Sequence, residues 1–168
     1  NKGFEDTRVK LAVVTVDIEN GEEVVFTSGP LATVIRASCS IPGIFSPVRL
    51  QGRLLVDGGI KHNVPTIIAR RLGADFIIAV DVGANVQKTH ITNIFQVIYQ
   101  AAQIKDQILN AFQTMQADIT IKPELGNFDQ MALHKGVEAI MWGEEAARLA
   151  LPEIQKKLED YEKKQKTG

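Results

Sequence analysis

The chain has 168 residues, with 19 Lys and Arg against 20 Asp and Glu, so the formal charge is −1. That length can bury a real core, and the even charge balance gives no electrostatic case for a nucleic-acid partner. One cysteine, Cys39, excludes an internal disulfide. No apolar run approaches a membrane span and no signal peptide is recognisable, so a cytoplasmic protein, at most peripheral to a membrane, is expected.

In chain order, the Val-rich residues 10–18 read as a buried strand. Asn20-Gly21 marks a turn, and residues 23–27 return as the second arm of a hairpin. Pro30 opens a short helix over 31–37. Residues 46–50 and 53–56 flank Gln51-Gly52 as a second hairpin-like pair, ended by Asp57-Gly58-Gly59.

Residues 65–72 read as a helix stopped by Gly73. Residues 75–82, DFIIAVDV, form the clearest strand, and the unbroken apolar run predicts burial on both faces. Helix, short link and strand make an α–β unit. A long helix over 92–116, a short strand over 119–121 and a helix over 133–150 follow. Pro152 restarts or kinks that helix, and residues 153–168 are a charged helix or tail that ends solvated or frayed. The fold class is therefore α/β, a layered and mostly parallel sheet flanked by helices, in one domain over 1–152. The polar start, running straight into a strand, reads as a cut into a longer chain.

The segment with chemistry is 54–65, LLVDGGIKHNVP. A strand delivers Asp57 to its end, and two glycines then permit positive φ or a close backbone approach. A carboxylate held this way can act as general base for an alcohol nucleophile. The alternative is a turn whose Asp satisfies local N–H groups.

Four segments in register resemble the C-terminal half of bacterial patatin-like phospholipases. They are VTVDIENGEEVVFTSG, IRASCSIPGIFSPV, RLLVDGGIKHNVP and ARRLGADFIIAVDVG. The resemblance implies ester hydrolysis by a Ser–Asp dyad, with Asp57 of the Asp57-Gly58-Gly59 motif as proton acceptor and no cofactor or metal. The family's serine lies in a G-x-S-x-G elbow and its oxyanion hole in a Gly-rich loop, both in the N-terminal half of its domain. Neither pattern occurs in these 168 residues. The chain is thus expected to lack the N-terminal half of its domain, to be inactive alone, and to need that half as partner. The substrate would be a phospholipid, lysophospholipid or simple ester, with transient membrane-surface contact; the oligomeric state is open. A non-catalytic interaction module on the same scaffold, or an α/β small-ligand-binding domain, are the alternatives.

By the same resemblance, Arg36 and Ser38 pack beneath the site, and Pro42 and Gly43 fix a loop near the cleft. For Arg36 the competing reading is a helix C-terminus. Asn63 hydrogen-bonds the Asp57 loop or caps the helix begun at Pro65, and capping is favoured. His62 is not needed by the family. His90 and His134 are isolated, so no metal site is expected. Asp81 has no phosphate-binding loop to serve. Cys39 is expected to be buried, and Phe45, Phe95, Ile98 and Phe112 to pack in the core rather than line an acyl pocket.

Overall fold

The computed structural model describes residues 2–83, 86, 90–126 and 133–167. The chain forms two compact units, residues 1–63 and 64–168.

The first unit contains a four-stranded sheet, β1 (Val13–Asp17), β2 (Glu23–Phe26), β3 (Val48–Leu50) and β4 (Arg53–Asp57), in the order β2-β1-β4-β3. All three ladders are antiparallel. The expectation of a mostly parallel sheet is therefore corrected: short turns return each hairpin on itself, which only antiparallel pairing allows. Gln51 and Gly52 both have positive φ, 53° and 76°. That is the two-residue turn whose twist matches its strands. In the first hairpin the Asn20 side chain accepts the Glu22 N–H at 2.8 Å, and Gly21 takes φ of 72°.

Helix α1 (Leu31–Ser38) packs on this sheet. Val34 and Ala37 of α1 join Phe4, Phe26, Val48 and Leu55 in the core, with Val13, Val24, Leu31 and Leu50 around it. Phe4 comes from a 3-10 turn, Phe4–Asp6, within the stretch read as polar from sequence. Arg53 hydrogen-bonds Glu22 at 2.6 Å and lies 3.7 Å from Asp17, tying β4 to the first turn. The Glu22 hydrogen bond, with the charges of Glu22 and Asp17, raises the Arg53 pKa. The unit ends in a single helical turn, α2 (Gly59–His62).

The second unit begins with α3 (Thr66–Arg71). Gly73, at φ of 93°, lets the Gly73 and Ala74 N–H groups reach back to Arg70 and Ala69 and close the helix end. Strand β5 (Ile78–Val80), helix α4 (Ile94–Thr114) and strand β6 (Ile119–Ile121) follow, and β5 and β6 pair in parallel. Burial of β5 on both faces is not observed. Ile77, Ala79 and Asp81 are buried, whereas Ile78, Val80 and Val82 are exposed.

Helix α5 (Gly136–Thr167) runs through Pro152 without a break. Its distal half is docked and not frayed: Lys157 donates to the Asp118 carbonyl at 2.7 Å, and Tyr161 packs on Phe76 with ring centroids 5.9 Å apart. No helix among the described residues is long and apolar enough to cross a membrane.

A buried polar network joins β5 to α4. The Asp81 carboxylate accepts from Asn110 at 2.6 Å and from the Gly83 N–H at 2.9 Å, and Lys122 lies 3.4 Å away. Asp81 is thus structural: it gives the buried Asn110 amide an acceptor away from water. Asp81→Ala is expected to lower the unfolding free energy of the chain by about 2–3 kcal/mol in urea titration, because it removes the acceptor of the buried Asn110 amide.

Candidate functional site

Asp57 closes β4, opposite Thr15 of β1. Its N–H donates to the Ser40 carbonyl at 3.1 Å, which joins the strand end to the segment after α1. Its carboxylate Oδ1 accepts the Gly59 N–H at 2.7 Å. The half-buried side chain is therefore held by the backbone of its own turn.

The two glycines serve for different reasons. Gly58 has φ of −64°, so positive φ is not what it supplies. A Cβ there would lie 2.4 Å from the Val14 carbonyl oxygen of β1. That distance belongs to backbone, which cannot yield, so no larger residue fits. At Gly59 a Cβ would stand 3.1 Å from both Asp57 Oδ1 and Asn63 Oδ1, tight but against movable side chains.

Ser38 converges on the same point. Its hydroxyl donates to the Val14 carbonyl at 2.8 Å, across 24 residues of sequence. Ser40, which receives the Asp57 N–H, donates its own hydroxyl to the Arg36 carbonyl at 2.8 Å. Thus Ser38 and Asp57-Gly58-Gly59 meet around one carbonyl of β1, and Arg36 takes part through its backbone. The Arg36 side chain itself is exposed in the last turn of α1.

Pro42 and Gly43 lie exposed in the turn that follows. Gly43 takes φ of 83°, and the Phe45 N–H returns to the Ile41 carbonyl at 2.9 Å. This compact turn leaves Ile41, Ile44 and Phe45 exposed. Core packing of Phe45 is therefore corrected, as it is for Phe95, Ile98 and Phe112 on α4. Cys39 is likewise exposed, as the residue capping α1.

Asn63 ends α2, and its carboxamide turns back over Gly59. It does not cap α3, whose N-cap position is held by Pro65 with no side-chain hydrogen bond. The favoured capping role is thus replaced by a place on the Asp57 turn. Pro65 belongs to the second unit, where its carbonyl receives the Ala69 N–H at 3.0 Å. His62 pairs through Nε2 with Glu23 of β2 and serves to hold α2 to the sheet. Among the described residues no group of three or more His, Cys, Asp or Glu is placed to hold a metal ion.

Sequence reasoning missed Val14 and Ser40. Val14 accepts through its backbone carbonyl, and so does Ser40 towards Asp57, and no side-chain pattern marks a carbonyl. The polar Ser40 beside Cys39 was the nearest hint, since it is buried in spite of its hydroxyl.

Gly58→Ala is expected to destabilise the chain by about 2–4 kcal/mol, the scale of a forced backbone shift, while Gly59→Ala costs under about 1 kcal/mol. Ser38→Ala should cost about 1 kcal/mol through the Val14 carbonyl. Thermal and urea unfolding of the three variants measures the order.

Residues 1–70 match the patatin-like phospholipase family. The chain is 37% identical over 95 residues to patatin-like phospholipase domain-containing protein 7 of Rattus norvegicus, covering 55% of this chain and 7% of that protein. It is 38% identical over 82 residues to an uncharacterized NTE family protein of Mycobacterium tuberculosis, covering 49% of this chain and 23% of the relative. Lysophospholipase NTE1 of Scheffersomyces stipitis is 38% identical over 86 residues, 51% of this chain and 6% of the relative. The chain therefore spans a quarter or less of the length of these relatives. The turn bearing Asp57 falls inside the matched region, and over residues 1–70 this chain is similar to the patatin-like phospholipase family.

Proposed function

We propose that this chain supplies the proton acceptor of a lipid acyl hydrolase of the phospholipase A, lysophospholipase or esterase type, with Asp57 as one member of a Ser–Asp dyad. The observation that carries the reading is the Asp57 carboxylate, half-buried at a strand end and held at 2.7 Å by the Gly59 N–H, within the stretch that matches the phospholipase family. The names of the relatives, a phospholipase-domain protein and a lysophospholipase, support a lipid ester as substrate.

In this reading a serine from another stretch of polypeptide lies against Asp57. The carboxylate takes the hydroxyl proton as the oxygen attacks the ester carbonyl. The tetrahedral oxyanion is stabilised by N–H groups of a Gly-rich loop, also outside this chain. Collapse expels the alcohol, which leaves with the proton, and forms an acyl-serine. Asp57 then takes a proton from water as the water oxygen attacks the acyl carbonyl, and it returns that proton to the serine oxygen as the fatty acid leaves.

The Gly58 approach to Val14 fixes the turn, and the Ser38 hydrogen bond fixes Val14, so both are positioning residues. The exposed Ile41, Ile44 and Phe45 follow directly on Ser40 and offer an apolar wall for an acyl chain or transient contact with a lipid surface. No metal or organic cofactor enters any step. The accessible Cys39 thiol suits a reducing, cytoplasmic setting.

The test uses the 168-residue chain and the intact polypeptide that contains it. The chain alone is expected to show no fluorophosphonate labelling and no turnover of a p-nitrophenyl ester or lysophospholipid. In the intact protein, Asp57→Asn should lower kcat by about a thousandfold or more, since the dyad acts as a unit. Full turnover in that variant rejects Asp57 as the base. Turnover by the chain alone rejects the division of labour. A non-catalytic module would show neither labelling nor turnover in either form.

A further inference from the structure

Helix α2 is too short to stand by itself. It has four residues, and no side chain caps its start. Two bonds close it, from the Lys61 and His62 N–H groups to the Gly58 carbonyl at 3.0 and 2.8 Å. A single helical turn costs more chain entropy than so few hydrogen bonds return. Its persistence therefore depends on what it grips.

The helix packs on β1. Two anchors stand at its far end. His62 Nε2 donates to the Glu23 carboxylate of β2, and Lys61 Nζ donates to the Gly21 carbonyl of the first turn at 2.9 Å. Glu23 pairs with Val16 of β1, which pairs in turn with Val56 of β4. His62 thus reaches over the middle of the sheet to its outer strand. The side chains of His62 and Glu23 are only 15% and 16% exposed, so water screens their contact far less than that of a surface pair. Among the described residues the other ring nitrogen, Nδ1, is buried without a hydrogen-bond partner. The hydrogen bond that orients the ring is therefore the one to Glu23.

The near end of the same turn is the Asp57 motif. Gly59, whose N–H holds Asp57 Oδ1 at 2.7 Å, is the first residue of α2. The close approach of Gly58 to Val14 fixes where the helix starts. It does not fix the direction in which the helix runs. A tilt of α2 away from β2 would swing the Gly59 N–H off the carboxylate.

We infer that the His62–Glu23 pair is a positioning device for Asp57: it sets the direction of α2, and through it the N–H that orients the carboxylate. Its bearing on turnover rests on the dyad reading above, whereas its hold on the Gly59 N–H is a property of this chain by itself. His62 touches no reacting atom in this scheme and is a positioning residue.

Amide hydrogen exchange at Gly59 in the 168-residue chain reads the device directly, with the Val16 amide at the centre of the sheet as reference. His62→Ala and Glu23→Ala should each speed Gly59 exchange by about tenfold or more and leave Val16 unchanged. His62→Gln places an N–H donor where Nε2 stands and should restore the slow exchange. The double variant Glu23→Ala/His62→Ala should match either single change, since both break one contact. In the intact polypeptide each alanine variant should lower kcat on a p-nitrophenyl ester by about ten- to a hundredfold, with KM changed less than about twofold. His62→Gln should recover most of that loss. Unchanged Gly59 exchange in both alanine variants overturns the inference. Equal acceleration at Val16 would mark general loosening of the sheet and overturns it too. So does an equal loss of kcat in His62→Gln and His62→Ala, which would make the imidazole itself a reacting group. Failure of the dyad reading looks different: Asp57→Asn would then keep full turnover while Gly59 still responds to Glu23→Ala.

Discussion

The carbonyl of Val14 is the point on which the candidate site depends. It is approached from one side by Gly58, where no Cβ can stand, and it accepts the Ser38 hydroxyl. Backbone from β1, a side chain from the end of α1 and the turn after β4 are thereby fixed against one atom. The Asp57 carboxylate is in turn tied to its own turn, because it accepts the N–H of Gly59, the residue after the constrained one. A second tie, from the Asp57 N–H to Ser40, runs to the same segment after α1. Position at the acid is thus set in large part by main-chain groups that β1 and β4 already order, together with the short Ser38 side chain.

Much of the first unit was legible in the sequence, since its signals are local. Asn-Gly and Gln-Gly mark turns through φ, and Pro30 and the Val runs mark the elements between them. The direction of strand pairing was harder to read, because a short apolar strand looks alike in either kind of sheet. The DFIIAVDV run shows the same limit: its composition predicts two covered faces, while one face of β5 is bare. Composition records what a strand is suited to, and burial depends on what lies across from it.

The site was legible in part. Asp57 and its two glycines stand out as a motif, but the work of Gly58 could not be read from it. Positive φ and steric clearance leave the same letter in a sequence, and only the 2.4 Å approach to Val14 separates them. Asn63 likewise carries one signal for two roles, and the Pro65 N-cap geometry decides between them. The polar face of α4 was invisible for a further reason. Asn110 and Gln113 look solvent-facing by type, and become interior by bonding to Asp81, Val64 and Thr66.

The lone sulfur of the chain has a practical bearing. Cys39 is exposed and sits one residue before the carbonyl that receives the Asp57 amide. A maleimide dye or nitroxide attached there would be unique in the sequence and anchored at the end of a helix whose inner face is fully buried. Its emission or line shape would report on the immediate surroundings of the acid without altering any residue assigned to the chemistry.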